Sequence, residues 1–206
     1  MEDEVVKRIG ELAAKVGARV LVDEVYLEML YDSRPKTAFG IDPERFIVTS
    51  SLTKAYGLGG LRCGWVFAEK KIVDHMWAIN DLYASTPVFP AEQMSLAAFR
   101  HLERIGSEIK QILVANRKLL LDFFDSRGDL ELVRPQHGTI AFPKLKKGDA
   151  KRLLELLRKD FETSVVPGSF FEMSQHFRVG IGVATNDVRM GLQQLERALD
   201  HLASRG

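Results

Sequence analysis

Cysteine is almost missing from this chain, with Cys63 the sole thiol among 206 residues. A single thiol excludes an internal disulfide framework and argues against a cysteine-based metal cluster. It also suits a reducing, cytoplasmic setting. No apolar run is long enough to span a bilayer. The opening MEDEVVKR has neither the basic nor the apolar region of a secretory signal, so neither membrane insertion nor secretion is expected. An excess of charge is lacking too. With 29 basic and 28 acidic residues mixed along the chain, bulk electrostatics offers no grip on nucleic acid or an anionic membrane. HExxH, P-loop and GxGxxG patterns are absent, and His75, His101, His137, His176 and His201 show no metal-ligand spacing, so no metal site is expected. Internal repeats and low-complexity segments are absent as well.

What is present is the composition of a folded protein. Hydrophobic residues make up 46% and charged residues 28%, enough to build a core in one large domain or two modest ones. From about Glu4 to Lys15, apolar Val5, Val6, Ile9, Leu12, Ala13 and Val16 recur at helical spacing, and Gly17 stops the helix. The run ARVLVDEVY reads as a strand buried on both faces in a parallel sheet. RFIVTSS and CGWVFAE read as a second and third strand, and KKIVDHMWAINDLYAS as a helix. A long helical tract runs from about Ala91 to Ser126, with a bend expected near Gly106. Beyond Gly128 short strands (LELVRP, GTIAFPKL, TSVVPGSFF, HFRVGIGV) alternate with helices (DAKRLLELLRKDF and TNDVRMGLQQLERALDHLAS). The expected class is α/β, with part of a larger sheet domain over residues 1–112 followed by a smaller α+β carboxyl-terminal domain over residues 113–206.

Chemistry concentrates at the strand ends. Asp23 and Tyr26 close the first strand, and a carboxylate there either faces solvent or meets a cation. Ser51 and Lys54 follow the second strand, with glycines at 57, 59 and 60 and then Arg62. A Ser-x-x-Lys turn with a guanidinium nearby offers hydroxyl, backbone and cationic donors to an anion such as phosphate. Lys54 is a solvated surface lysine or, with its amine partly desolvated, a Schiff-base lysine. Arg178, in the alternating HFRVGIGV, points to water or into a cleft where it could fork a carboxylate.

VLVDEVYLEMLYD, SSLTKAYGLGGLRCGW, VVPGSFF, HFRVGIG and the last helix, taken in that order, resemble the pyridoxal-phosphate-dependent aminotransferases of fold type I, class I/II, the group that includes aspartate aminotransferases. The resemblance implies pyridoxal 5'-phosphate as cofactor, joined to Lys54 as a Schiff base, with Lys54 afterwards serving as proton carrier. It implies that Asp23 pairs with the pyridine nitrogen, Tyr26 donates to the ring's phenolic oxygen, Ser51 and Arg62 hold the phosphate, and Arg178 holds the substrate carboxylate. The implied reaction moves an amino group between an amino acid and a 2-oxo acid. Family members are longer. The resemblance therefore leads one to expect an amino-terminal half, absent from this sequence, that carries the rest of the sheet, a glycine/serine phosphate loop, an aromatic residue that stacks on the ring and an asparagine. A homodimer or a complementing amino-terminal half is the expected partner. Fold-type-I lyase, decarboxylase or synthase chemistry stays open, as does a non-catalytic, self-associating protein on the same scaffold.

Overall fold

The computed structural model describes residues 3–29, 36–84, 86–134 and 137–204. The chain divides into two compact units, Met1–Ile109 and Lys110–Gly206.

The first unit is organised by a three-stranded sheet. Helix α1 (Asp3–Lys15) leads to β1 (Val20–Asp23), β2 (Phe46–Ser51) and β3 (Gly64–Phe67), in the spatial order β1-β2-β3. β1 and β2 are parallel, with Val22 opposite Val48 and Asp23 opposite Thr49. β3 returns antiparallel, with Gly64 opposite Ser51. One face of the sheet is closed over β1 and β2. Phe46 and Val48 are buried there against Ala38, Val6, Val20, Val22, Phe39 and Ile41. Gly10 lets α1 come close, since a Cβ at that position would stand 3.1 Å from the Phe46 ring. Burying side chains of this size stabilises by about 1.5–3 kcal/mol each. Helices α2 (Lys70–Tyr83), α3 (Phe89–Phe99) and α4 (Leu102–Ser126) follow.

The second unit has its own core. Strands β4 (Leu130–Glu131) and β6 (Lys144–Leu145) form one antiparallel pair, and β5 (Ile140–Ala141) and β7 (Val166–Pro167) flank β8 (Phe177–Gly180), also antiparallel. Helices α5 (Ala150–Asp160) and α6 (Thr185–Ala203) supply Leu153, Leu157, Leu195 and Leu199, which pack with Leu120, Phe124, Phe177 and Ile181. Asp149 caps α5, its carboxylate accepting from Lys151 N at 2.9 Å. Asn116, fully buried, donates from Nδ2 to the carbonyls of Ile181 (2.9 Å) and Val183 (2.8 Å), tying α4 to the exit of β8. Arg127 donates to Asp129 (2.9 and 2.6 Å) and to Asp200 (2.7 Å), joining the turn after α4 to α6.

Three expectations change. The helical tract breaks at Arg100 and His101, where the amides turn back to Leu96 and Ala98, and Gly106 lies inside α4. The first strand ends at Asp23 because the Asp23 carboxylate accepts from Val25 N at 3.2 Å and turns the chain. Nor is that strand covered on both faces, as Leu21 is 67% exposed. Among the described residues no helix is long and apolar enough to cross a membrane.

A Cβ at Gly168 would stand 2.3 Å from the carbonyl oxygens of His176 and Met173, whereas one at Gly191 meets nothing within 4 Å. Gly168→Ala is expected to lower stability by on the order of 2–4 kcal/mol, with Gly191→Ala, inside a helix, neutral or stabilising. Urea midpoints of the two variants check this. The Arg127 hydrogen bond holds the Asp129 carboxyl below its usual range, against the opposing effect of burial. Its contribution is thus present above the unfolded value, about pH 4, and is lost as pH falls through the folded one. The stability gap between wild type and Asp129→Asn should therefore shrink in acid.

Candidate active site

Parallel pairing carries the carboxyl ends of β1 and β2 to one edge of the sheet. Antiparallel β3 begins at that same edge. Side chains alternate between faces, so Asp23, opposite Thr49, points away from the closed face that holds Val22 and Val48. Ser51, two residues beyond Thr49, shares the face of Asp23. Leu21, 67% exposed, and Val66, 40% exposed, lie on this open face as well.

The two loops that leave this edge are joined to each other. After β1 the Asp23 turn is closed by Leu27 N donating to Glu24 O (2.9 Å), which leaves Tyr26 exposed. After β2 the Ser51 hydroxyl accepts from Thr53 N at 3.2 Å. Leu52 and Ala55 are buried while Lys54 is exposed, so the apolar residues anchor the loop that presents the amine. Leu52 N donates to Cys63 O (3.1 Å) and Leu58 N to Leu52 O (2.9 Å), folding the segment back on itself. Gly57, at φ 65°, takes a conformation that suits glycine, and Arg62, at φ 52°, holds the same left-handed region at some cost. The Arg62 guanidinium donates to Gly59 O at 3.3 Å. Between the loops, Glu24 N donates to Thr49 O (2.8 Å) and Ala55 N to Val25 O (3.3 Å).

Asp23, Tyr26, Ser51, Lys54 and Arg62 therefore lie on the loops and strand ends of one sheet edge in the first unit. Among the described residues the Lys54 amine has no hydrogen-bond or ion-pair partner, and Asp23 meets no cation. A carboxylate, an amine without a partner, a hydroxyl and a guanidinium at one edge can hold a zwitterionic or phosphorylated compound. Arg178 belongs to the second unit, on β8 opposite Val166. It is half-buried, with its guanidinium carbon 5.8 Å from the centre of the Phe171 ring. No carboxylate among the described residues pairs with it, which leaves its fork of donors available.

Sequence reasoning passed over Glu24, Glu28 and Ser50. The signal was strand alternation, since Asp23 and Glu24 cannot face the same side. Glu24 and Ser50 are buried on the side of the sheet opposite Asp23 and line a cavity of about 420 Å³ with Glu28, Trp65, Phe67 and Phe99. Burial pushes the Glu28 carboxyl up, and the charge of Glu24 adds to this. Burial, and then Glu28, push the Tyr56 phenol up.

The aminotransferase class I and II family model matches residues 1–195. Capreomycidine synthase of Streptomyces vinaceus is 27% identical over 192 residues, which cover 92% of this chain and 49% of that protein. An aspartate aminotransferase of Streptomyces avermitilis is 25% identical over 211 residues, covering 95% of this chain and 52% of that protein. The crystal structure of a PLP-dependent aminotransferase from Streptococcus suis shares the fold with a TM-score of 0.91 at 24% identity, covering 98% of this chain and 54% of that one. The chain thus spans about half the length of the curated relatives it matches.

Glu28, with its folded value raised, contributes stability that is fully present below the unfolded value, about pH 4.3, and is lost as pH rises through the folded one. Glu28→Gln should remove this loss and gain on wild type between acid and neutral pH. Urea midpoints of both proteins across that range check it, and parallel curves would contradict it.

Proposed function

Because the chain belongs to the aminotransferase class I and II family, we propose that it forms the lysine-bearing side of an active site that moves an amino group between an amino acid and a 2-oxo acid with pyridoxal 5'-phosphate. The observation that carries this reading is the shared sheet edge, where the Ala55 N to Val25 O bond of 3.3 Å joins the loop of Lys54 to that of Asp23 and Tyr26.

The donor set fits the cofactor. Ser51 and Arg62 would hold its phosphate, and Tyr26 would donate to the phenolic oxygen of its ring. Asp23, which meets no cation among the described residues, would face the pyridine nitrogen, and Lys54 would hold the group through its amine. When bound, such a group supplies an electron sink for the substrate's α carbon. Asp23 would keep a proton on the ring nitrogen through a charge-assisted hydrogen bond. Lys54 would take the proton from the α carbon of the substrate and deliver it to the carbon across the shared nitrogen, a 1,3 shift that moves the amino group. Arg178, on β8 of the second unit, would receive a carboxylate, a role supported by its half-buried guanidinium.

The similarity to capreomycidine synthase supports a second reading, a synthase or lyase that uses the same lysine and aspartate. A third observation concerns partners. Trp77, Leu82 and Phe89 are 74%, 81% and 67% exposed in the first unit. Surface of this kind suits a second copy of the chain or a complementing amino-terminal half, and alone it would serve a non-catalytic, self-associating protein. The cytoplasm is the setting this reading expects.

Incubation with pyridoxal phosphate and one amino acid at a time, followed by chromatography of the products, tests the reaction. Wild type should yield the matching 2-oxo acid together with pyridoxamine phosphate. Lys54→Ala should lose the turnover by at least about a hundredfold, and Arg178→Ala should raise the amino acid concentration needed by about tenfold or more. Decarboxylated or eliminated products in place of the oxo acid would favour the second reading. Equal rates in wild type and Lys54→Ala would contradict both.

A further inference from the structure

Asp23 and Glu24 are consecutive carboxylates that face opposite sides of the sheet, and they are held very differently. Among the described residues the Asp23 side chain has one bond, accepted from Val25 N at 3.2 Å. Glu24, 9% exposed, is held at each of its main-chain polar groups and at its carboxylate. Its amide donates to Thr49 O (2.8 Å), and its carbonyl accepts from Leu27 N (2.9 Å) and from the Ser50 hydroxyl (3.3 Å). Its Oε1 accepts from Ala38 N at 2.7 Å, on the first residue of a short 3-10 turn, Ala38–Gly40, that packs in the closed face.

A buried carboxylate is costly unless it is bonded, and an apolar side chain would fill the same space without that cost. The carboxylate of Glu24 does what an apolar side chain could not, fastening the corner after β1 to a second segment of the core. The direction of the Asp23 carboxylate follows from the backbone of residues 23–25, and Glu24 is the fixed point of that backbone. Val25 carries the connection onward, since its amide is bonded to Asp23 and its carbonyl to the Lys54 loop.

We propose that Glu24 is a positioning residue that aims Asp23 and Tyr26 through its bonds to Ala38, Thr49 and Ser50, an inference that rests on the cofactor site proposed above. Without its carboxylate the Ala38 amide is left unpaired and the corner gains freedom, so Asp23 no longer faces one direction.

The test uses wild type, Asp23→Asn, Glu24→Ala, Glu24→Gln and Ser50→Ala, with pyridoxal phosphate labelled with 15N in the ring. It reads the dissociation constant by absorbance, the ring-nitrogen shift by NMR and, without cofactor, the exchange rate of the Val25 amide. Asp23→Asn sets the scale by moving the ring signal toward its unprotonated position. Glu24→Ala is expected to move it in the same direction by roughly half as much, to weaken binding about tenfold and to speed Val25 exchange about tenfold, as small misplacement at a site does. Glu24→Gln, which keeps the acceptor oxygen, should stay within about twofold of wild type in all three, and Ser50→Ala should shift each readout in the direction of Glu24→Ala. A wild-type ring signal and affinity in Glu24→Ala, or equal damage in Glu24→Gln, would overturn the proposal. Should Glu24→Ala fail to fold, wild-type Val25 exchange in Ser50→Ala would overturn it. Failure of the site itself reads differently, as an unmoved ring signal in Asp23→Asn, and Val25 exchange still decides whether Glu24 holds the corner.

Discussion

The parallel pairing of β1 with β2 is the constraint on which the site depends. It sets Asp23 opposite Thr49, and through that register it sends the Asp23–Tyr26 loop and the Ser51–Arg62 loop out from the same edge. A slip of one residue would turn Asp23 to the closed side and Val22 to the open one. Val20 and Val22, packed against Phe46 and Val48, hold the register because the slip would expose them. The hydrophobic core of the first unit and the direction of its polar edge are thus one arrangement seen from two sides.

The bonds between the loops add a second level. Main-chain hydrogen bonds from Glu24 and Ala55 fix the loops to each other, while the side chains of Lys54 and Asp23 meet no opposite charge among the described residues. A rigid frame with unengaged polar ends is what preorganised binding needs, because the cost of ordering has been met in folding. The second unit follows the same pattern, with Phe177 and Val179 buried on either side of Arg178 in β8.

Much of this was legible in the residues. The strands at Val20–Asp23 and Phe46–Ser51 showed themselves by β-branched density, and with them the places of Asp23 and Ser51 at strand ends. Three features were not legible. Where the helical tract breaks is decided at Arg100 and His101, which carry no proline or glycine, so local propensity pointed to Gly106 instead. The exposure of Leu21 depends on what covers the sheet, a property of tertiary arrangement that a run of apolar letters does not encode. Glu24 was hidden by its neighbour, because an Asp-Glu pair reads as a polar strand end until the alternation of faces shows one of the two carboxylates buried.

The most direct measurement is the intact mass, followed by peptide mapping, of the chain after incubation with pyridoxal phosphate and reduction with borohydride. A single adduct on Lys54, lost in Lys54→Ala while the other lysines stay unmodified, is the predicted result. Adducts spread over surface lysines, or a Lys54→Ala protein labelled as fully as wild type, would contradict the assignment of Lys54 as the residue that holds the cofactor.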